Sequence, residues 1–280
     1  MFSDVLLTVD FDRTLTDPSA NIPQRNLDAI AYFMENGGAF TVNTGRTVPN
    51  FRKYLTTIPV NAPFLMYNGG AAYENGKLTQ AETLDMDPWQ TWLMLQEKFP
   101  DVSVEIHGMA AHYLHNPSQQ TIELYKNAGW EYQIVKPGDD LGPFIKIAIF
   151  DEVEDPQVSM LYKQIPERME RFAEITRQLE EMMGDKVEIF RPAARILNIN
   201  AKGVSKIRAA RDLQKRLGKK ILVCVGDAEN DIPMLDGADY AFCPCDGVVA
   251  DRYPNVCDCA EGAVADVIYK KIPQILGISP

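Results

Sequence analysis

Two carboxylates one residue apart stand where an apolar run ends. Val5–Val9 leads straight into Asp10-Phe11-Asp12-Arg13-Thr14-Leu15-Thr16. Carboxylates crowded in this way are costly unless something neutralises them. A divalent cation does so well, because Mg2+ prefers oxygen ligands and usually keeps several waters. A carboxylate that faces a phosphorus atom can act as a nucleophile and form an aspartyl-phosphate. A second one beside the leaving group can donate a proton and later accept one. Taken alone, the same stretch also reads as a solvated turn after a strand.

Further polar stretches add to this. Gly226-Asp227-Ala228-Glu229-Asn230-Asp231 follows another apolar run. Asp227 could complete a metal's protein ligands and Asp231 could hold or orient them, although Asp and Asn also cap helix starts. In Thr44-Gly45-Arg46 a strand-end hydroxyl and the backbone N–H groups that follow can hold phosphate oxygens. Asn68-Gly69-Gly70 ends a third run. Lys206, in Gly203-Val204-Ser205-Lys206, is a cation that could balance Asp10 and a phosphate. Lys202 competes for that role, and most surface lysines are only solvated.

These residues need elements to bring them together. Val5–Val9, Ala39–Val42, Phe64–Tyr67 and Ile221–Val225 are short continuous apolar runs, as expected for strands buried on both faces of a parallel sheet. Helical spacing lies between them, in Gln24–Asn36 with Leu27, Ile30, Ala31 and Met34 on one face, and in Ser205–Leu217. Gly37-Gly38 and Gly218 stop these helices. Alternating strands and helices predict an α/β fold with a doubly wound sheet. Ligands of such sheets bind at the carboxyl ends of the strands, so Asp10, Asp12, Thr44, Asn68 and Asp227 are expected to meet in one crevice.

The middle of the chain reads differently. Helices are expected over 88–99, 118–128 and 167–183, and strands over 102–107, 111–115, 145–150, 187–190 and 195–199. Strand pairs with short turns predict antiparallel pairing and an α+β insertion. Trp89, Trp92 and Phe99 at helical spacing read as packing residues.

Length and charge narrow the functional classes. At 280 residues the chain can hold a core domain and an inserted one. A formal net charge of −11 disfavours nucleic acid and anionic membranes as partners. No apolar run is long enough to span a bilayer. Met1-Phe2-Ser3-Asp4 lacks a basic signal-peptide region, so the expected location is cytoplasmic. Of the five cysteines, four form the pairs Cys243-Pro-Cys245 and Cys257-Asp-Cys259. A reducing cytosol argues against disulfides. Four thiolates could hold zinc, but C-x-C is less usual than C-x2-C, and the plainer reading is small residues beside a loop.

In order along the chain, these motifs resemble those of the haloacid dehalogenase-like (HAD) hydrolases, specifically the Cof-type branch with a type IIB cap. The resemblance rests on Asp10-x-Asp12-x-Thr14, Thr44-Gly45-Arg46, Asn68-Gly69, Gly203-Val204-Ser205-Lys206 and Gly226-Asp227-x-x-Asn230-Asp231. It implies a Rossmann-like doubly wound parallel-sheet core (1–83 and 200–280) with an inserted α+β cap (84–199) that sets specificity. It also implies a Mg2+-dependent phosphatase acting on a small phosphorylated metabolite, with sugar phosphates the favoured class. Asp10 would be nucleophile and metal ligand. Asp12 would be general acid/base and would offer the metal its backbone carbonyl. Asp227 would ligate the metal, supported by Asp231 and Asn230. Thr44 and Lys206 would hold the phosphoryl group. Gly45, Arg46, Asn68, Gly69 and Asn230 complete the expected phosphate- or substrate-binding set.

Arg13 stands where the family usually has glycine, and an arginine does not adopt φ > 0 freely. In the cap, His107, His112, His115, Arg191 and Arg195 are the prominent polar residues. Two other readings share the motifs. One is a phosphotransferase resembling the phosphomannomutases. The other is a non-catalytic binding protein, against which intact Asp10, Asp12, Lys206 and Asp227 argue.

Overall fold

The computed structural model describes residues 1–109, 111–151, 157 and 163–278. They divide into two compact units. The first comprises Met1–Gly45, Tyr54–Thr79 and Ser205–Pro280, and the second Arg46–Lys53 and Gln80–Val204. Arg46–Lys53, which the sequence reading leaves in the core, groups with the second unit.

In the first unit, β1 (Val5–Val9), β2 (Ala39–Val42), β12 (Ile221–Val225), β13 (Tyr240–Pro244) and β14 (Asn255–Val256) form a sheet in the order β14-β13-β12-β1-β2. Every pairing in it is parallel. All five residues of β1 are buried, as a strand covered on both faces must be. Val9 lies opposite both Val42 and Val225. The residues that follow these three positions therefore leave adjacent strands on the same edge of the sheet.

β3 (Phe64–Met66) joins this arrangement through a single parallel bridge from Leu65 to Asn43. It then pairs antiparallel with β4 (Ala71–Glu74), which pairs with β5 (Lys77–Thr79). Helix Gln24–Glu35 buries Ala29, Ile30 and Phe33, and ends where Gly37 takes φ 90°. Helix Lys206–Arg216 starts at Ser205, whose side chain accepts from the Arg208 N–H, an N-cap that satisfies one orphan donor. Its Ala210 and Leu213 pack with Leu6, Leu65, Leu222 and Cys224.

The second unit is built on a six-stranded sheet. Its strands are β6 (Val102–Gly108), β7 (His112–Leu114), β8 (Tyr132–Ile134), β9 (Phe144–Asp151), β10 (Val187–Ala193) and β11 (Ile196–Ala201), in the order β10-β11-β9-β6-β7-β8. The pairings are antiparallel as predicted, except that β7 and β8 run parallel. β8 was not expected, because its Gln133 and Ile134 are exposed and carry no alternating pattern.

Alternation gives this sheet two different faces. Val102, Val104, Ile106, Ile147, Ile149, Leu197 and Ile199 point to one. There they pack with Trp92, Leu95 and Phe99 of helix Pro88–Lys98 and with Phe172, Ile175 and Leu179 of helix Pro166–Met183. Trp92 and Phe99 are fully buried, and Trp89 stacks on Trp92 at 5.4 Å, so the aromatic stripe serves packing. The alternate residues Glu105, His107, Lys146, Asn198 and Asn200 point to the opposite face and are buried too.

Candidate active site

The parallel register sets the geometry. Asp10 follows β1, Asn43-Thr44 follows β2, and Gly226-Asp227 follows β12, on neighbouring strands. The Asp10 N–H donates to the Val225 carbonyl at 2.9 Å and the Asn43 N–H to the Val9 carbonyl at 2.8 Å. The three strand ends are thus stitched together just where the side chains change from apolar to polar.

Lys206 is the hub of the cluster. Its Nζ donates to Asp10 Oδ1 at 2.5 Å and to Asp231 Oδ1 at 2.6 Å, and only 2% of the residue is exposed. Asp10, Asp227 and Asp231 each bring a carboxylate oxygen within 4.8 Å of the others, and among the described residues no other His, Cys, Asp or Glu group is placed to hold a metal. The second oxygen of Asp231 accepts from the backbone N–H groups of Asp227 and Ala228 at 3.1 and 3.2 Å. Asp231 therefore bridges the Asp227 turn to Lys206. The turn needs Gly226, since a Cβ there would lie 2.6 Å from the Cβ of Asp231.

Three buried carboxylates around one ammonium leave an excess of negative charge. Burial, then the charge of Asp231, raises the Asp10 carboxyl to about 7, against the pull of Lys206. Burial and the charge of Asp10 push Asp227 well above the carboxylate range. For Lys206 burial acts downward, but Asp10 and Asp231 outweigh it and hold the ammonium above its ordinary value. A hard divalent cation relieves such an excess, and the donor set is oxygen only. The Oδ1 atom of Asn230, buried one residue before Asp231, has no hydrogen-bond partner. On both grounds the residues fit a metal site.

The other expected residues arrive as follows. Asp12 is half-buried, with extended backbone. Arg13 takes φ 58°, a left-handed conformation that glycine adopts more freely than arginine. Its N–H donates to Thr16 Oγ1 at 3.3 Å. Thr44 is buried; its N–H goes to the Leu65 carbonyl and its carbonyl accepts the Asn68 N–H at 3.0 Å. That bond places the Tyr67–Gly69 turn beside Thr44. Gly69 has φ 91°, and a Cβ on it would lie 2.4 Å from the Ser205 carbonyl. This close approach seats the turn against the start of the Lys206 helix. Gly45 ends the first unit's segment and Arg46 begins the second unit's, where its guanidinium donates to the Asn50 carbonyl at 3.3 Å. Lys202 bonds the carbonyls of Gly184 and Val187 in the second unit, whereas Lys206 is the lysine that joins the carboxylates.

Two contributors were given no role by the sequence reading. Thr14 donates to Asp227 Oδ1 at 3.0 Å, and Asn43 donates to the Lys206 carbonyl at 2.9 Å. Thr14 was already visible as the third member of its motif. Asn43 carried no signal beyond its place at the end of a strand. The four paired cysteines form no metal-holding group among the described residues. Cys243 and Cys259 are buried and Cys245 is exposed. Burial raises the thiols of Cys243 and Cys259 to about 12, and Cys259 donates to Asp246 Oδ2 at 3.1 Å.

Comparison with known proteins agrees with this geometry. A family model described as haloacid dehalogenase-like hydrolase matches residues 7–246. Among solved structures, a haloacid dehalogenase-like hydrolase from B. subtilis superposes with a TM-score of 0.75 at 17% identity, covering 95% of this chain and 99% of that one. One from Bacteroides thetaiotaomicron gives 0.73 at 18%, covering 95% and 98%. A HAD subclass IIB sugar phosphatase gives 0.74 at 17%, covering 98% and 99%. At these identities the structures establish a shared fold, the Rossmann-like core with an inserted α+β domain.

Proposed function

The chain belongs to the haloacid dehalogenase-like hydrolases, and from that premise we propose that it is a Mg2+-dependent phosphatase that forms an aspartyl-phosphate on Asp10. The observation that carries this reading is the hydrogen-bonded set Asp10–Lys206–Asp231, with Asp227 in the same cluster at the carboxyl edge of a parallel sheet. Phosphoryl transfer depends mainly on positioning and charge neutralisation, and this cluster supplies both.

Each residue takes a role that its environment suits. Lys206 engages Oδ1 of Asp10, which leaves Oδ2 to attack phosphorus. As that bond forms, the bond from phosphorus to the leaving oxygen breaks, and Asp12 gives that oxygen its proton. Water then attacks the phosphorus of the aspartyl-phosphate and yields a proton to Asp12. The Asp10 oxygen departs as a carboxylate, together with free phosphate. Thr44, Gly45, Asn68 and Gly69 hold the phosphoryl oxygens, while Lys206 balances their charge. Asp10, Asp227 and the Asp12 carbonyl would hold Mg2+, which neutralises phosphoryl charge when bound. Thr14 and Asp231 orient Asp227, and Asn230 supports it.

The second unit serves as the cap and selects the organic part of the substrate. A sugar phosphate is the favoured class, in line with the sugar phosphatase among the fold relatives. The test is phosphate release from a panel of phosphorylated metabolites, with and without Mg2+, for the wild type and Asp10→Asn. Metal-dependent release that disappears in Asp10→Asn is expected. Release that persists in the variant would overturn the reading.

A further inference from the structure

The six-stranded sheet of the second unit has a gap. β6 pairs with β9 along residues 102–108 but with β7 only at Ile106 and His107. β7 ends at Leu114, and the chain turns at Asn116, which takes φ 48°. Among the described residues, 102–105 therefore have a strand on one side only. A cleft of about 260 Å³ lies there, bounded by 102–105 of β6 and by residues 114–117. Gln96 and Thr121 line it from helices Pro88–Lys98 and Gln119–Ala128.

Glu105 supplies the chemistry of this cleft. Among the described residues it is the only acid in the lining, which holds no lysine or arginine. It is 2% exposed. Its Oε2 accepts from the Tyr125 hydroxyl in a very short bond and from His107 Nε2–H at 3.0 Å. Oε1 accepts no hydrogen bond among the described residues and is the oxygen left to meet the cleft. His115 is already committed, since Nδ1–H donates to the Val135 carbonyl and Nε2 accepts from Asn116, both at 3.1 Å. Ser103, Thr121, Gln96 and Asn116 add only hydroxyl and amide groups.

A buried carboxylate oxygen without a donor is costly. A proton can meet that cost, because burial raises the Glu105 carboxyl to about 8, against the Tyr125 hydrogen bond and the charge of Lys146. The titratable groups around it are His107 on its own strand, His112 on β7, Lys146 on β9 and Tyr125 on its helix. None of these four lines the cleft. A ligand that brings a positive charge can replace the proton. A metal ion is disfavoured, since no metal-holding group of described residues includes Glu105. A guanidinium fork engages both oxygens of a carboxylate, and Oε2 is taken. An ammonium is a compact charge with three donors, which suits one open oxygen ringed by neutral acceptors. The cleft is smaller than the roughly 300–1,000 Å³ usual for ligand pockets, so the cation it suits is small.

We propose that this cleft binds a small organic cation through a primary ammonium group, which donates to Oε1 of Glu105. On binding, the Glu105 proton leaves to water and an ammonium N–H takes its place at Oε1, so the sheet face keeps its charge. All of these residues belong to the second unit, and the site stands whether or not the chain is a phosphatase.

The test is calorimetric titration of n-butylamine, with 1-butanol as its neutral match, into the full chain as wild type and as Glu105→Gln at pH 7.5. The amine should bind the wild type and the alcohol should not. Glu105→Gln keeps the side-chain shape and should weaken amine binding about tenfold or more, the scale of a hydrogen bond to a charged group. Amine binding should release about one proton, read from the difference in heat between PIPES and HEPES buffers. Equal binding of amine and alcohol, an unchanged affinity in Glu105→Gln, or no amine binding by the wild type would overturn the proposal. If Glu105→Gln did not fold, the wild type would decide alone. Proton release on amine binding supports the site, and binding without release overturns it.

Discussion

Both units bury charged and polar side chains, but they balance them in opposite ways. In the first unit three carboxylates surround one ammonium, and the excess negative charge pushes the protons back on. In the second unit one carboxyl, Glu105, stands against one amine, Lys146, while the imidazoles beside them are neutral. The first cluster fits a cation. The second is electrically closed and leaves only hydrogen-bond acceptors unfilled. A buried charge excess points to an ion and a phosphoryl group. A buried polar network whose members bond one another holds its region in one packing.

The sharpest way to break this contrast is at Asp10. Asp10→Asn keeps the side-chain shape and removes the nucleophile. Phosphate release should fall by at least ~10³-fold, as losses of covalent nucleophiles do, in a steady-state assay with Mg2+ present. Next is Lys206→Met, which leaves Asp10 and Asp231 without their buried cation. Breaking one side of a buried ion pair costs about 3–5 kcal/mol, so urea denaturation in EDTA should show a large loss, and added Mg2+ should restore part of it. A variant as stable as wild type in EDTA would show that Lys206 does not balance the cluster.

Asp227→Asn should weaken the response to Mg2+ about 10–100-fold, the scale on which changes around a metal site act. The assay is a Mg2+ titration of activity, and an unchanged midpoint would place the ion elsewhere.

The second unit is probed by pH. Burial raises Glu105 from 4.5 to about 8, partly opposed by the Tyr125 hydrogen bond and by Lys146. Between these values the folded chain holds a proton that the unfolded chain has lost. The stability from this group is full below about 4.5 and is lost as pH rises through 8. Lys146, lowered from 10.5 to about 7 by burial against the pull of Glu105, acts at higher pH, where stability rises from 7 towards 10.5. Between pH 5 and 7 the wild type should therefore lose stability relative to Glu105→Gln, read by urea denaturation at each pH. Parallel curves would mean that Glu105 is ionised throughout. The smallest effect is expected at Arg13. Its left-handed backbone costs about 1 kcal/mol for a non-glycine residue, so Arg13→Gly should raise the melting temperature slightly.

The two regions also differ in how far the sequence exposes them. β1, β2 and β12 are visible because strands buried on both faces need continuous apolar runs, and the chemistry sits where those runs stop. Asp10, Thr44, Asp227 and Asp231 could be picked out for that reason, and Lys206 from its place in Gly203-Val204-Ser205-Lys206. Asn43 was missed because its bond to the Lys206 carbonyl joins residues distant in the chain. The polar sheet face stayed hidden for a related reason. Glu105, Lys146, Asn198 and Asn200 alternate with apolar residues, which in a strand ordinarily marks a solvated face. Its burial shows only in the structure, where Tyr125 bonds Glu105 and Thr47 bonds His112. Arg46–Lys53 departed from its expected domain because its partner His112 lies in β7, far along the chain. Arg13 shows that a residue other than glycine can hold a left-handed backbone, at a cost.

The central claim, that Asp10 becomes phosphorylated, is tested most directly by rapid quenching of the wild type with Mg2+ and a turned-over phosphate ester, followed by peptide mass mapping. The account predicts one phosphoryl group on the peptide carrying Asp10, absent from Asp10→Asn. Turnover with no phosphoryl group on that peptide at any quench time, together with an active Asp10→Asn enzyme, would contradict it.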